Sequence, residues 1–151
     1  MPKVDLPLDQ RNIIITRSKE GILDIKKIFI SKGANVFDLP AISIGDPDDL
    51  NPLDEALNQI NDFHWIIFSS SNGIKFVDKR LRYFNSSLKE CSKKTKIAVV
   101  GEKTSKTLDD FGIKADFIPP EFVAESLIDN FPVSGYGLRV FVPRVQTGGR
   151  D

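Results

Sequence analysis

The sequence predicts an α/β protein in which a parallel sheet is flanked by helices. Three observations support this fold class: short β-rich apolar runs without alternation, apolar stripes at helical spacing between them, and small polar residues where the runs end. Continuous apolar runs are typical of strands buried on both faces, as in parallel sheets. Because strands and helices alternate along the chain, we expect right-handed crossovers between parallel strands.

Four apolar runs are the clearest strand candidates. They are NIIIT (12–16), WIIFS (65–69), KIAVV (96–100) and LRVFV (138–142). A weaker candidate is ADFIP (115–119), and a further strand is predicted at 35–39, just before Pro40. Because Pro cannot donate to strand pairing, Pro40 favours the end of that strand.

Four stripes of apolar residues predict helices between the strands. Their members are Ile22, Ile25 and Phe29; Leu53, Ala56, Leu57 and Ile60; Ile74, Val77, Leu81 and Phe84; and Ala124, Leu127, Ile128 and Phe131. Such spacing places each set on one face of a helix. Asn51 is predicted to cap the second helix, with Pro52 in its first position, and Gly33 and Gly112 are predicted to end helices.

Two incomplete domains are expected. Residues 1–40 are predicted to form the first β-α-β part of domain one, residues 41–47 an extended linker, and residues 48–151 a domain two that lacks its last helix and strand. The last predicted strand has no helix after it, which leaves one face of a parallel sheet uncovered. We therefore expect a truncated polypeptide, with one domain nearly complete and the other only begun.

Composition narrows the class of function. Lys plus Arg equals Asp plus Glu at 21 each, so the basic footprint that indicates a nucleic-acid partner is missing. The single cysteine, Cys91, allows no internal disulfide, and no Cys/His set has the spacing of a metal site. We see no export signal and no apolar run near the roughly 20 residues of a membrane span, so we expect a cytoplasmic protein without a membrane partner.

Four turns at predicted strand ends are rich in Ser, Thr, Asn and Gly. They are ITRSKEG (15–21), FSSSNG (68–73), VVGEKTS (99–105) and VPRVQTGGR (142–150). Ligands of open α/β sheets bind outside the carboxyl ends of the strands, where helix N-termini present N–H groups and a partial positive charge. Each turn alone fits ordinary helix capping better. Taken together, the four turns favour an anion-binding edge as much as capping.

Other motifs give no site. The chain has no P-loop, no G-x-G-x-x-G at a helix start and no G-x-S-x-G. Apolar spacing beyond Gly73 is helical, which argues against an Asn-Gly hairpin there. His64 precedes a strand, away from the predicted edge, and is assigned a structural role. Cys91 is expected in a loop without a function, and Asp109 and Asp110 on a solvated helix face.

The order and spacing of six segments resemble the uroporphyrinogen-III synthase family. The segments are IIITRS, GANVFDLPAISI, DFHWIIFSSSNGIKFV, KIAVVGEKTSKTLDDFGIKADFIP, FVAESLI and GLRVFVPR. The likeness covers nearly all 151 residues. Its most specific parts are the SSSNG turn, with Ser69 in place of the family's threonine, and the long segment that begins KIAVVGEKT.

The resemblance implies an enzyme of tetrapyrrole biosynthesis, on the way to haem, chlorophyll and cobalamin. Members of the family are lyases that cyclise hydroxymethylbilane to uroporphyrinogen III, with loss of water and inversion of the last pyrrole ring. They need no metal and no organic cofactor. Their fold has two α/β domains joined by two extended linkers, with the active site in the cleft. At full length the resemblance implies a monomer with a small-molecule substrate.

The resemblance also implies the site residues. Thr104 would be catalytic, as a positioning or hydrogen-bonding group, and the substrate-binding residues would be Thr16, Arg17, Ser70, Ser71, Asn72, Gly101 and Lys103. A family tyrosine on the second linker, thought to assist the loss of water, has no counterpart, since neither Tyr83 nor Tyr136 matches it. We therefore expect the 151-residue chain to cyclise its substrate slowly or not at all.

Two other classes of function stay open. A non-enzymatic α/β module could bind an anionic ligand, a tetrapyrrole or a nucleotide, through the same turns. A flavodoxin-like electron carrier would need a Ser/Thr-rich phosphate loop after the first strand, and TRSKEG is a poor version of one.

Overall fold

The chain divides into two compact units, Met1–Asp46 and Pro47–Asp151. A computed structural model describes residues 6–16, 19–41 and 45–144. Within this part of the chain, no helix is long and apolar enough to cross a membrane.

The first unit is a parallel β-α-β motif. Strand β1 (Asn12–Ile15) is followed by helix α1 (Lys19–Ser31) and strand β2 (Asn35–Asp38). The strands pair in parallel with Ile14 opposite Phe37. Gly33 has a φ of +94°, a value that favours glycine, and lies two residues after the end of α1, in agreement with its predicted role as a helix stop.

Several large apolar side chains of the first unit are exposed to solvent. Ile15, Ile22 and Ala34 are buried, but Ile14 and Phe37 are 62% and 55% exposed. Side chains of a strand alternate between its two faces, so Ile14 and Ile15 lie on opposite sides of the sheet. The Ile14 side therefore keeps an apolar surface in contact with solvent.

The second unit contains a three-stranded parallel sheet. Its elements are helix α2 (Asn51–Asn58), a 3-10 turn (Ile60–Asp62), strand β3 (Trp65–Phe68), helix α3 (Ser71–Tyr83), helix α4 (Leu88–Cys91), strand β4 (Lys96–Val99), helix α5 (Glu102–Asp110), helix α6 (Ala124–Asp129) and strand β5 (Val140–Phe141). The strand order is β4-β3-β5, and both pairings are parallel. The predicted α/β class with parallel strands and flanking helices is therefore confirmed.

Four local predictions need correction. Asn51 is the first residue of α2 rather than its cap, which is Leu50, and the Asp49 carboxylate accepts the Asn51 N–H at 2.9 Å. Segment 115–119 adds only one bridge, between Phe117 and Ala98. The last strand is shorter than 138–142, with only Val140–Phe141 paired. Cys91 lies in a short helix and is buried, where desolvation raises the pKa of its thiol.

Helices α2 and α3 are joined by a two-pronged ion pair. Arg80 Nε and Nη2 donate to the two carboxylate oxygens of Asp54 at 2.6 and 2.5 Å. The hydrogen bond from Arg80 lowers the pKa of Asp54 from its usual value of 3.8, against a smaller opposing effect of desolvation. A carboxylate with a lowered pKa stabilises the fold above its unfolded pKa, and this contribution is lost as the pH falls through the folded pKa.

We expect Asp54→Asn to flatten the acid limb of the stability curve. In the unmodified chain the urea midpoint should fall as the pH drops below about 4, because Asp54 takes up a proton and loses its pair. In Asp54→Asn that part of the fall is missing. Asp110→Asn, which removes an exposed charge from α5, should keep the original slope. An unchanged slope in Asp54→Asn would show that the pair does not contribute.

Candidate functional site

The ends of the three strands meet at one edge of the second unit's sheet. Because Phe68 lies opposite Val99 in parallel register, β3 and β4 end side by side, and the Val100 N–H donates to the Phe68 carbonyl at 2.9 Å. Strand β5 pairs with the other side of β3 and points the same way. The carboxyl edge is defined here as residues 69–73, 100–104 and 142–144. It is the position where open α/β sheets bind ligands.

Helix α3 begins at this edge with a partly occupied N-terminus. Ser70 is its cap, and its hydroxyl accepts the Gly73 N–H at 3.1 Å. Within the described residues, the amides of Ser71 and Asn72 donate to no protein acceptor. The first turn of α3 therefore keeps two N–H groups for solvent or a ligand. The prediction that Asn72 and Gly73 start a helix rather than a hairpin is confirmed.

Helix α5 begins beside it with no side-chain cap at all. Its N-cap is Gly101, which has φ +102° and ψ 140°. In the part of the chain that the structure describes, the amides of Glu102, Lys103 and Thr104 have no protein acceptor, and the first one bonded is that of Ser105, to the Gly101 carbonyl at 3.0 Å. Three N–H groups and the positive end of the helix dipole thus face the edge.

Thr104 has a buried side chain whose hydroxyl has no protein partner among the described residues. The residue is 4% exposed, and its hydroxyl makes no hydrogen bond to any described residue. No fully buried polar side-chain atom among the described residues lacks a partner, so this hydroxyl keeps contact with solvent. A methyl group placed on Gly101 would lie 3.7 Å from it. Glycine at residue 101 therefore leaves open the space beside the hydroxyl.

The Ser71 hydroxyl is turned inward rather than toward a ligand. It donates to the Lys103 carbonyl at 3.2 Å, and Thr107 Oγ1 lies 2.9 Å from Ser71 Oγ and 3.0 Å from the same carbonyl. The only proton of Ser71 Oγ is used in this network, so the hydroxyl cannot donate to a substrate. Ser71 can contribute its backbone amide instead. We call the Ser71 hydroxyl, the Thr107 hydroxyl and the Lys103 carbonyl together the hydroxyl clasp.

Sequence reasoning missed Thr107. Its side chain is 9% exposed, on the buried face of α5 with Thr104 and Leu108. A threonine one turn after Lys103 can return a hydrogen bond to the carbonyl four residues earlier. The sequence did contain a signal for Thr107: it is a hydroxyl residue among the buried residues of a helix that starts at the candidate site.

The structure brings together six of the eight predicted site residues at the carboxyl edge: Ser70, Ser71, Asn72, Gly101, Lys103 and Thr104. The side chains of Ser70, Asn72 and Lys103 are exposed there. Thr16 belongs to the first unit, where it is exposed directly after β1 and its carbonyl accepts the Ala41 N–H at 3.1 Å. Arg17 and the basic end of the fourth turn, residues 145–150, lie outside the described residues.

The opposite edge of the sheet carries none of the predicted residues. His64 precedes β3 there, and its Nδ1 accepts the Arg139 N–H at 3.0 Å, which ties the start of β3 to the segment before β5. A shallow pocket of about 380 Å³ lies at this edge, with His64, Lys94 and Lys96 among its lining residues. Among the described residues, no group of three or more acidic, His or Cys side chains could hold a metal ion.

Comparison with known proteins decides the family. The model described as "Uroporphyrinogen-III synthase HemD" matches residues 24–151, most of the chain. The chain belongs to the uroporphyrinogen-III synthase family. This confirms the resemblance that the order of the segments indicated.

Two similar proteins are considerably longer than this chain. Uroporphyrinogen-III synthase of Synechococcus elongatus is 42% identical over 147 residues, which are 96% of this chain and 54% of that protein. The porphyrin biosynthesis protein HemD of Ruminiclostridium josui is 32% identical over 119 residues, 77% of this chain and 23% of that protein. The chain thus spans about half the length of the first of these synthases.

Solved uroporphyrinogen III synthases from the extremely thermophilic bacterium Thermus thermophilus share the fold. A mutant form matches with a TM-score of 0.57 at 10% identity, over 79% of this chain and 46% of that one. The wild-type form matches with a TM-score of 0.51 at 10% identity, over 82% and 48% of the two chains. At this identity the likeness concerns the fold alone.

Replacing Gly101 tests the backbone geometry of the α5 start. In Gly101→Ala we expect the free energy of unfolding to fall by about 1–3 kcal/mol, because φ +102° with ψ 140° is strained for any residue with a Cβ. Urea denaturation measures this change. The matched control is Gly135→Ala, since a methyl group at residue 135 would meet nothing within 4 Å. Equal stability of both variants would contradict the geometry at residue 101.

Proposed function

We propose that this chain binds hydroxymethylbilane and acts in its cyclisation to uroporphyrinogen III, with loss of water and inversion of the last pyrrole ring. The observation that carries the proposal is the pair of helix starts at the carboxyl edge. Five backbone N–H groups without an acceptor among the described residues, two on α3 and three on α5, lie at one edge of the sheet. Carboxylates are the natural partners of such groups, and the substrate carries eight.

Binding at this edge would hold part of a flexible linear tetrapyrrole in fixed geometry. The substrate must bring its two ends together before the ring can close, and pre-ordering a flexible reactant is among the largest contributions that a protein can make. Lys103 adds a positive charge in the first turn of α5 that would attract the carboxylates. We assign Ser70, Asn72, Gly101 and Lys103 to substrate binding, and Ser71 through its amide alone.

Thr104 is the best candidate for a group close to the reacting part of the substrate. Its hydroxyl is neutral and lies in a nearly closed position next to the α5 amides. A fixed hydroxyl could hydrogen-bond the departing hydroxyl group of the substrate, or support the cationic azafulvene that its loss creates. We keep Thr16 and Arg17 as proposed substrate contacts from the first unit.

A non-enzymatic role as an anion-binding module makes a different prediction from the same geometry. Free amides at a helix start accept phosphate as well as carboxylate. A nucleotide would therefore compete with an octacarboxylate if the edge were a general anion site. Uroporphyrin III, the stable oxidised form of the product, serves as the octacarboxylate probe, and ATP as the competitor.

We expect the unmodified chain to bind uroporphyrin III, with ATP failing to displace it. Thr104→Val should weaken binding by about three- to tenfold, the equivalent of one hydrogen bond, and Thr104→Ser should restore most of the affinity. Lys103→Gln should also weaken binding, and more so at low salt, because an exposed charge is screened by ions. Porphyrin fluorescence measures each affinity. A coupled assay on the same samples measures the formation of uroporphyrinogen III from hydroxymethylbilane, which we expect to be slow or absent with the 151-residue chain.

Lys94→Gln is the matched control for charge. Lys94 lies at the opposite edge of the sheet, so the same loss of net charge should leave porphyrin affinity nearly unchanged. Equal losses in Lys94→Gln and Lys103→Gln would mean that net charge alone attracts the ligand. Displacement by ATP with equal affinity would favour the anion-binding module.

A further inference from the structure

The hydroxyl clasp connects the two helices that carry the free amides. Ser71 is the first residue of α3, Lys103 lies in the first turn of α5, and Thr107 lies one turn further on. Three oxygen atoms, Ser71 Oγ, Thr107 Oγ1 and the Lys103 carbonyl, lie within 2.9–3.2 Å of one another. The clasp thus joins the start of α3 to the first two turns of α5, next to the carboxyl edge.

The protons of the clasp allow two arrangements that bond both hydroxyls. A carbonyl only accepts, so either Ser71 donates to the Lys103 carbonyl and Thr107 donates to Ser71, or Thr107 donates to the carbonyl and Ser71 donates to Thr107. Both arrangements keep the bond between Ser71 and Thr107. Thr107 is 9% exposed, which protects the bond from exchange with water. Parallel strand pairing sets the positions of the two strand ends, but rotation and sliding of the helices beyond them depend on side-chain contacts. The clasp is such a contact, since it bonds the first residue of α3 to the first turn of α5.

We propose that Thr107 is a positioning residue that, through Ser71, sets the distance between the α3 and α5 amides so that they bind two carboxylates of the same pyrrole ring. The proposal rests on the function proposed above. Each ring of hydroxymethylbilane and of uroporphyrin carries an acetate and a propionate on adjacent carbons, so two carboxylates are held close together. One carboxylate binds the Ser71 and Asn72 amides, and the other binds the amides of residues 102–104.

Two-point binding predicts a loss that depends on the ligand. When two contacts are linked in one ligand, the second forms at a high effective concentration only if the two sites have the right spacing. A ligand with one carboxylate on each ring binds one helix start at a time. Its affinity therefore does not depend on the spacing between the α3 and α5 amides. Coproporphyrin III is such a ligand, because methyl groups replace the four acetates of uroporphyrin III.

The test compares these two porphyrins on the 151-residue chain. In Thr107→Val we expect affinity for uroporphyrin III to fall by about three- to tenfold and affinity for coproporphyrin III to change less than about twofold. Thr107→Ser keeps the hydroxyl and should restore uroporphyrin binding. Ser71→Ala should reproduce the selective loss, and the double variant should lose no more than either single one, because both changes break the same link.

Thr95→Val is the matched control for stability. Thr95 is 1% exposed and donates a buried hydrogen bond to the Ile60 carbonyl at 3.1 Å. Its replacement should cost a similar free energy of unfolding and leave both porphyrin affinities unchanged. Equal loss of both porphyrins in Thr107→Val, or none, overturns the positioning role while the proposed function stands. Failure of the unmodified chain to bind uroporphyrin III overturns both.

Discussion

The parallel pairing of β3 with β4 is the constraint on which the rest of the site depends. In register, Phe68 and Val99 end their strands side by side, so the chain must leave the sheet twice at the same edge and begin a helix each time. Every helix start leaves its first amides without an intrahelical acceptor. Two such starts next to each other concentrate N–H donors and helix-dipole charge at one place. No acidic cluster, metal or strongly basic patch is needed to make that edge suitable for a carboxylate.

The first N–H groups of α3 and α5, which have no intrahelical acceptor, are treated differently at the two helix starts. At α3, Ser70 satisfies one amide with its own side chain, as an ordinary cap does. At α5, Gly101 has no side chain, so the helix lacks the stabilising hydrogen bond that a Ser or Asp cap would make. Thr104 is likewise left with a hydroxyl that bonds to no described residue. Such local losses are commonly located at functional sites, where a ligand makes the missing contacts.

Much of the fold could be predicted because apolar patterns are local signals. Runs such as WIIF and KIAV are largely buried, and the apolar stripes of α2 and α3 correctly indicate the sides that pack into the core. The stripe predicted for α6 fails, since Ile128 is exposed and Phe131 lies beyond the helix. Boundaries were less predictable, since α2 begins at Asn51 after Leu50, a residue that provides no side-chain cap, while Asp49 accepts the first N–H of the helix. The shortness of β5 depends on pairing between segments distant in the sequence, which periodicity does not report.

The location of the candidate site was predictable, but its detail was not. Strand ends rich in Ser, Asn and Gly indicated the edge at which α3 and α5 begin, because that edge follows from topology. The inward direction of the Ser71 hydroxyl was not predictable, since it depends on how α3 packs against α5 and brings Thr107 within reach. Exposed apolar side chains such as Ile14 and Phe37 likewise become visible only when the strands of the first unit are paired.

The most direct test of the central claim follows individual backbone amides by NMR while uroporphyrin III is added to the isotope-labelled chain. Our account predicts that the largest shifts, and new protection from hydrogen exchange, occur at the amides of residues 71–72 and 102–104. The account would be contradicted if these amides stayed unchanged while the ligand perturbed residues 61–65 and 94–96 at the opposite edge.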